Sequence, residues 1–470
     1  MKIIRVLLLF VLTWNVGAQE IRLKKGVIMT NLKVHDTLAE SFSLYLPSSF
    51  NTNKAWPVLF VFNMKNKGKQ ALSMFVSAAE EQEYILAASN NVNDSLSLTK
   101  NLLISSRMFN RVYSILPIKK ERVYTAGYKE GGKFASLIPA FIKGVSGVLS
   151  LSASVANREV LDVKKPYYFI GIVGKEDYSY SDMINNRKFL NKLKYPNQLL
   201  FHGRGEEWPL STYFNSALEY FKLSAMAKNK EELDTFFVRE TYQKNLMRIN
   251  TLLKENKPLL AENILSQMLD VYRPLMNIDS VKEKRKYVKR SKLYRSRKNE
   301  ENGILLKESF AIDDYNYFLE EDIASYNYNN LGWWKYQMEQ ITKLGNSSKL
   351  GEKQLGKRLD GYLNALLEDY IDLIKGADLV DEEALNLVYM IKTVVSPKEY
   401  KNYLNIISIS AKNEDYGTAL FYLEELLMNG YRNKEELYKL EHTALLRITP
   451  EFNETVAKYL KEARYEITEE

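Results

Sequence analysis

The chain predicts an α/β domain built on a mainly parallel sheet, followed by an all-α domain. Two observations carry that division. Short apolar runs of strand length alternate with helical stretches between Ser41 and His202, the pattern of βαβ units whose sheet is covered on both faces. After about residue 225 glycine and proline thin out and long helical periodicities take over. At 470 residues the chain is also too long for one core, since domains usually run to about 100–200 residues. The expected divisions are a leader at 1–18, the α/β domain at 19–225, a helical linker with a basic run at 226–300 and the helical domain at 301–470.

The amino terminus carries Lys2 and Arg5, an apolar run from Val6 to Leu12, and small residues at Val16-Gly17-Ala18. This is the layout of a signal peptide, so the mature protein is expected to be secreted or periplasmic. No other stretch reaches the roughly 18 apolar residues of a membrane helix, so the chain is not expected to span a membrane. The sequence has no cysteine, which excludes disulfides, thiol catalysis, cysteine-ligated zinc and a cysteine lipid anchor. With His35, His202 and His442 as its three histidines, a histidine-rich metal site is not expected. No cofactor is expected either, while carboxylate-bound calcium stays open.

Along the α/β region, strands are expected at Ser41–Leu46, Val58–Phe62 and Tyr84–Ser89, with a Gly68-Lys69 bend between them. Further strands are expected at Val145–Leu151, Tyr167–Val173 and Asn197–His202. In the middle lies the most informative segment. Val123-Tyr124-Thr125-Ala126 reads as a strand, Gly127-Tyr128-Lys129-Glu130-Gly131 as a tight turn, and Lys133 to Ile142 as a helix kinked or interrupted at Pro139. Small residues two before and two after the turn's centre are what a sharp strand-to-helix bend requires, because larger side chains would collide there. Gly127 and Gly131 meet that requirement.

From about Pro47 to Phe221 the chain resembles the secreted esterase and polyester-depolymerase-like branch of the α/β-hydrolase superfamily. The likeness is carried by Pro57-Val58-Leu59-Phe60-Val61-Phe62-Asn63 with Gly68-Lys69, by Ala88-Ser89-Asn90-Asn91, by the Gly127 turn, and by Gly174-Lys175-Glu176-Asp177. A fifth segment is Gly203-Arg204-Gly205-Glu206-Glu207-Trp208-Pro209, where relatives typically show Gly-Gly-His-Glu-Trp-Pro. Carried over position by position, the family's serine falls on Lys129, its aspartate on Asp177 and its histidine on Glu206, so the acid alone survives. His202, four residues before Glu206, is the remaining candidate for a substitute base. The oxyanion region departs too, since Phe62-Asn63-Met64-Lys65-Asn66 stands where relatives often read Phe-Asp-Pro-His-Gly.

Lysine attacks as a nucleophile only when neutral, and its ordinary pKa is about 10.4. If Asp177 and Glu206 converge on Lys129, as the resemblance implies, they favour the ammonium form. The expected trio is therefore an ion cluster, either a salt bridge in a dead cleft or a pocket for a polar or zwitterionic ligand.

Ten lysines and arginines fall between Lys282 and Lys298 against Glu283 alone. The whole chain has a net charge of +8, so its basic character is local to that run. Nucleic acid is not an expected partner of an exported protein. The run reads as a solvated helix face or linker, or as a contact for an anionic envelope lipid or glycan.

In the carboxy-terminal half, Pro258 suits the first turn of a helix running to about Tyr272, stopped by Pro274. Ser396-Pro397-Lys398-Glu399 reads as a capping box that starts a helix. Tyr403 and Ile406 then share a face. After the Asn413-Glu414-Asp415 turn, Ala419, Leu420, Leu423, Leu426 and Leu427 form the stripe of a second helix ending near Gly430. This pair looks like a tetratricopeptide repeat, with Ile407 and Ser410 departing from its pattern. One such repeat cannot bury its own apolar face, so an earlier helix pair, formed by Asp360–Ile374 and Glu382–Val395, is expected to pack beside it. Trp333 and Trp334 read as packing anchors between helices. The resulting expectation is a non-catalytic hydrolase homologue that binds a protein partner through its helical repeats. The alternative is an active ester hydrolase with a relocated nucleophile.

Overall fold

The computed structural model describes residues 23–203, 209–461 and 463–464; the expected leader and Glu206 lie outside them. Among the described residues, eight strands form one sheet: β1 (Ile28–Lys33), β2 (Ser41–Tyr45), β3 (Trp56–Phe62), β4 (Ile85–Ser89), β5 (Ile118–Tyr128), β6 (Val145–Leu151), β7 (Tyr168–Gly174) and β8 (Asn197–His202). Their order is β1-β2-β4-β3-β5-β6-β7-β8. The β1–β2 and β2–β4 pairs are antiparallel, and every pair from β4 through β8 is parallel. This is a mostly parallel sheet domain with helices on both faces, and an all-helical region follows it, as the sequence predicts.

Strand β1 was not expected. Its IMTNLK segment is half exposed and polar, and a register shift between Met29 and Leu32 accompanies Asn31 at φ 57°. An edge strand with a bulge carries little apolar alternation to read.

The inner strands alternate between two cores. Leu59 and Val61 face one layer, while Val58, Phe60 and Phe62 face the other, the period of two that a pleated strand imposes. On the second face lie α3 (Leu98–Ile115) and α4 (Glu130–Phe141), after the short α1 (Gly68–Ser73) and α2 (Val76–Gln82), which pack on the first. Gly68 opens α1 rather than making a bend. Helix α4 runs through Pro139. A proline there leaves the Ala135 carbonyl without its helical partner, and the buried Thr125 hydroxyl donates to that oxygen at 2.9 Å.

Helices α5 (Tyr180–Lys192) and α6 (Ser211–Ala227) complete the covering of the sheet. The first core then continues through α7 (Thr235–Lys254), α8 (Pro258–Tyr272) and α9 (Asp279–Arg290), with Val238, Ile249, Leu265, Tyr272 and Val288 joining Leu200, Phe214 and Phe221. The 226–300 stretch is helical as expected, but it is core of the sheet domain rather than a connecting linker. Its exposed basic residues mask the buried stripe from composition alone. α8 matches its expected bounds.

Helix α10 (Lys292–Ser325) has 34 residues, about 50 Å at 1.5 Å per residue. Tyr294 near its start belongs to the sheet core, and Tyr315 and Leu319 belong to a separate helical core. That core is completed by α11 (Leu331–Gly345), α12 (Leu350–Lys375), α13 (Glu382–Val395), α14 (Tyr400–Lys412), α15 (Tyr416–Met428), α16 (Lys434–Leu437) and α17 (Pro450–Leu460). Trp334 is fully buried, its indole donating to Asp322 at 2.8 Å, and Trp333 packs on Phe318 at 4.5 Å; both are packing anchors.

Helices α14 and α15 form the expected hairpin, turning at Glu414 (φ 59°) and ending before Gly430 (φ 103°). The capping box does not form. Helix α14 starts at Tyr400, and the Ser396 hydroxyl donates to Asn364 on α12 at 2.5 Å instead of capping its own helix. A tertiary partner here outcompetes the local motif. No helix among the described residues is long and apolar enough to cross a membrane.

Candidate functional site

The sheet order reverses between β3 and β5, and the crevice outside the carboxyl ends of strands at such a point is where open α/β sheets bind ligands. The loops that leave β3 at Asn63 and β5 at Lys129 flank it. The turn after β5 is tighter than the sequence suggests. β5 reaches Tyr128 and α4 begins at Glu130, so Lys129 alone makes the bend, at φ 49° and ψ −116°. For a non-glycine residue this is a sparsely populated conformation.

The neighbouring glycines explain how it is held. A Cβ on Gly127 would lie 2.2 Å from the Gly131 carbonyl, and one on Gly131 would lie 2.3 Å from the Phe62 carbonyl oxygen. A Cβ on Gly132 would meet the Ser150 hydroxyl at 2.7 Å. The Lys129 amide donates to the Leu151 carbonyl at 2.9 Å. This is the geometry of a nucleophile elbow with an amine in place of a hydroxyl. The half-buried Lys129 ammonium lies over the rings of Tyr178, at 5.1 Å, and Tyr128, at 5.5 Å.

Asp177 follows β7, as the resemblance implies, and is 1% exposed. One carboxylate oxygen accepts from the Ser152 hydroxyl at 2.5 Å; the other accepts from the Ser179 amide at 2.9 Å and the Ser179 hydroxyl at 2.7 Å. Lys129 follows β5 and Asp177 follows β7, with β6 between them, and no ion pair joins the two, so this part of the expected ion cluster does not form. Glu206 lies outside the described residues. His202 is buried at the end of β8 beside Tyr213, with ring centroids 5.8 Å apart, and it is not a partner of Asp177. The sequence reading missed both serines. Asp177-Tyr178-Ser179 is an Asx-turn spacing that could have revealed one of them; Ser152, at φ 54°, gave no sequence signal.

The segment after β3, where the resemblance would place oxyanion donors, bonds to its own neighbours. The Lys65 amide donates to the Asn63 side chain at 2.9 Å, and the Asn66 amide to the Val92 carbonyl at 3.2 Å. Neither donor points at a reacting oxygen, and preorganised donors of that kind are usually the largest source of catalysis in acyl transfer.

The helical domain closes over this site. Arg358 on α12 and Glu308 on α10 form a buried pair, Nε to Oε1 at 2.9 Å and Nη2 to Oε2 at 2.6 Å, with side chains 3% and 1% exposed. The remaining Nη1 donates to the Lys175 carbonyl at 2.8 Å, in the loop that carries Asp177. Lys357 pairs with Glu176 at 2.6 Å, and the Tyr180 hydroxyl donates to Glu301 at 3.0 Å. Burial lowers the Lys175 pKa, with Glu301 opposing and Arg358 and Lys298 adding repulsion.

Between the elbow and α12 lies a cleft of about 2150 Å³. Both sides mix charges: Lys65, Lys129 and Lys133 stand with Asp94, Glu130 and Asp182 on the sheet side, and Asp360, Asp369 and Asp372 with Lys357, Lys375 and Lys392 on the helical side. Burial pushes the Asp369 carboxyl above the usual range, Lys133 opposes this, and Glu130, Asp372 and Glu368 add to it.

Comparison with known proteins finds no matching family model and no matching curated protein. Among solved structures, the chain is similar to the S-formylglutathione hydrolase FrmB of Staphylococcus aureus, at 13% identity and TM-score 0.35, over 42% of this chain and 98% of that one. It is also similar to Est1E of Butyrivibrio proteoclasticus, at 13% identity and TM-score 0.34, over 43% of this chain and 99% of that one. A ferulic acid esterase aligns at 15% identity and TM-score 0.33, over 41% of this chain and 94% of that one.

Proposed function

We propose that this chain is an exported, non-catalytic α/β-hydrolase homologue whose helical domain, a degenerate tetratricopeptide-like array, presents a binding cleft to a protein partner. The observation that carries this reading is the state of the elbow. Lysine occupies the nucleophile position, and the two oxygens of Asp177 are taken by Ser152 and Ser179 rather than by an imidazole. A triad needs its acid to orient the base and its base to take the nucleophile's proton, and neither relation is present among the described residues.

The size of the cleft supports a macromolecular occupant. Small-molecule pockets usually run to about 300–1,000 Å³, and this one is about 2150 Å³. Its two sides, each mixing lysines with carboxylates, suit an extended peptide segment bearing both signs of charge.

One observation favours the rival reading of an active ester hydrolase. The Ser152 hydroxyl, bonded to Asp177, is a candidate relocated nucleophile. Stoichiometric labelling by a serine-reactive fluorophosphonate separates the two readings. The expected result is no labelling of the native protein; full labelling that disappears in Ser152→Ala would establish the rival.

The basic run supports a peripheral role in docking. Lys282, Arg285, Lys286, Arg297 and Lys298 are engaged by nearby carboxylates, while Lys289, Arg290, Lys292 and Arg295 are exposed beside Tyr287, which is 77% exposed. The protein is expected to be retained on anionic vesicles at low salt and released as salt rises. Replacing those four cations by glutamine should abolish retention; retention that survives the change would remove this contact.

A further inference from the structure

A second cavity lies at the opposite edge of the sheet from the elbow, where β5 to β7 begin and α4 and α6 end. Its volume is about 620 Å³, within the range of small-ligand sites. Tyr124, Tyr168 and Phe221 line it and are buried, with Tyr124 and Phe221 stacked at 4.3 Å. The floor hydroxyls are engaged elsewhere, that of Tyr124 by Arg122 and that of Tyr168 by Gln198, and beside them Tyr167 donates to the Ser136 carbonyl. What they offer the cavity is a margin of apolar ring, extended by the half-buried Pro139, Val145, Val160 and Pro166 around it.

The rim is cationic. Lys143, Lys165, Lys228 and Lys230 line the cavity against two carboxylates, Glu121 and Asp162. No ion pair engages Lys143, Lys165 or Lys228 among the described residues, and the Lys230 ammonium reaches only the Ser146 hydroxyl, at 3.5 Å. The carboxy termini of α4 and α6 account for part of this excess, since a helix end contributes roughly half a negative charge. Two such ends leave about one positive charge without a counterpart. Lys228 is exposed as a residue, yet its pKa is lowered, first by partial burial of the ammonium and second by repulsion from Lys230. A bound anion would relieve that repulsion.

We infer that this cavity is a binding site for a small monocarboxylate with an apolar body, its ring or acyl chain on the Tyr124–Tyr168–Phe221 floor and its carboxylate between Lys228 and Lys230. The site is separate from the elbow cleft and does not depend on the function proposed there.

Calorimetry of the full chain with 2-naphthoate as probe tests it, with acetate and 2-naphthamide supplying the head and the body separately. Saturable binding of naphthoate is expected, with both controls weaker by about tenfold or more. The Lys228→Gln/Lys230→Gln variant should lose about tenfold in affinity, and Ala140→Trp, at the exposed mouth, should block the site while leaving the circular dichroism unchanged. Absence of saturable binding overturns the assignment. So does naphthamide binding as tightly as naphthoate, or unchanged affinity in both variants.

Discussion

Arg358→Met is expected to destabilise the protein by about 3–5 kcal/mol, because it leaves the Glu308 carboxylate buried without its partner. The pair lies under almost no solvent, so water cannot replace the lost guanidinium. The same change removes the bond to the Lys175 carbonyl and leaves the exposed Lys357–Glu176 pair to hold the loop carrying Asp177 to α12. Arg358→Met/Glu308→Leu should recover most of the loss, since an apolar pair of similar volume avoids the stranded charge. Urea unfolding of the three proteins checks this. A loss below about 1 kcal/mol in the single variant, the range of a surface pair, would mean that the two domains are not clamped through Arg358.

Gly131→Ala is expected to cost more than about 4 kcal/mol or to prevent folding, an exceptional effect for one methyl group. The new Cβ would sit 2.3 Å from the Phe62 carbonyl oxygen and 3.1 Å from its carbon, and both belong to a central strand that cannot retreat without breaking its pairing to β4 and β5. Gly332→Ala is the matched control. It is the second residue of α11 with nothing within 4 Å of its Cβ, so alanine should be neutral or stabilise by up to about 0.5 kcal/mol through a less flexible unfolded chain. Thermal unfolding of both variants gives the contrast. Similar midpoints would mean that the elbow is not packed as tightly as its geometry indicates.

Much of the site was legible because backbone constraints leave sequence marks. A strand-to-helix bend of this sharpness needs Gly127 and Gly131, and apolar runs of strand length mark a sheet buried on both faces. Three features were illegible for physical reasons. Ser152 caps Asp177 across two neighbouring strands, a long-range contact with no local pattern. The 226–300 helices read as a linker because their exposed lysines and arginines dominate the composition, while Val281, Val288 and Tyr294 bury a thin stripe. The Ser396 capping box failed because Asn364, on another helix, offers the hydroxyl a better partner. Glu206 shows the reverse case, a position assigned by resemblance alone.

Turnover of a short-chain nitrophenyl ester panel by the mature protein, beside Lys129→Ser/Glu206→His, tests the central claim most directly. The account predicts a silent native protein, and any hydrolysis gained by the variant would show that the elbow kept its geometry and lost its reacting groups. Native turnover that disappears when the serines are blocked would contradict it.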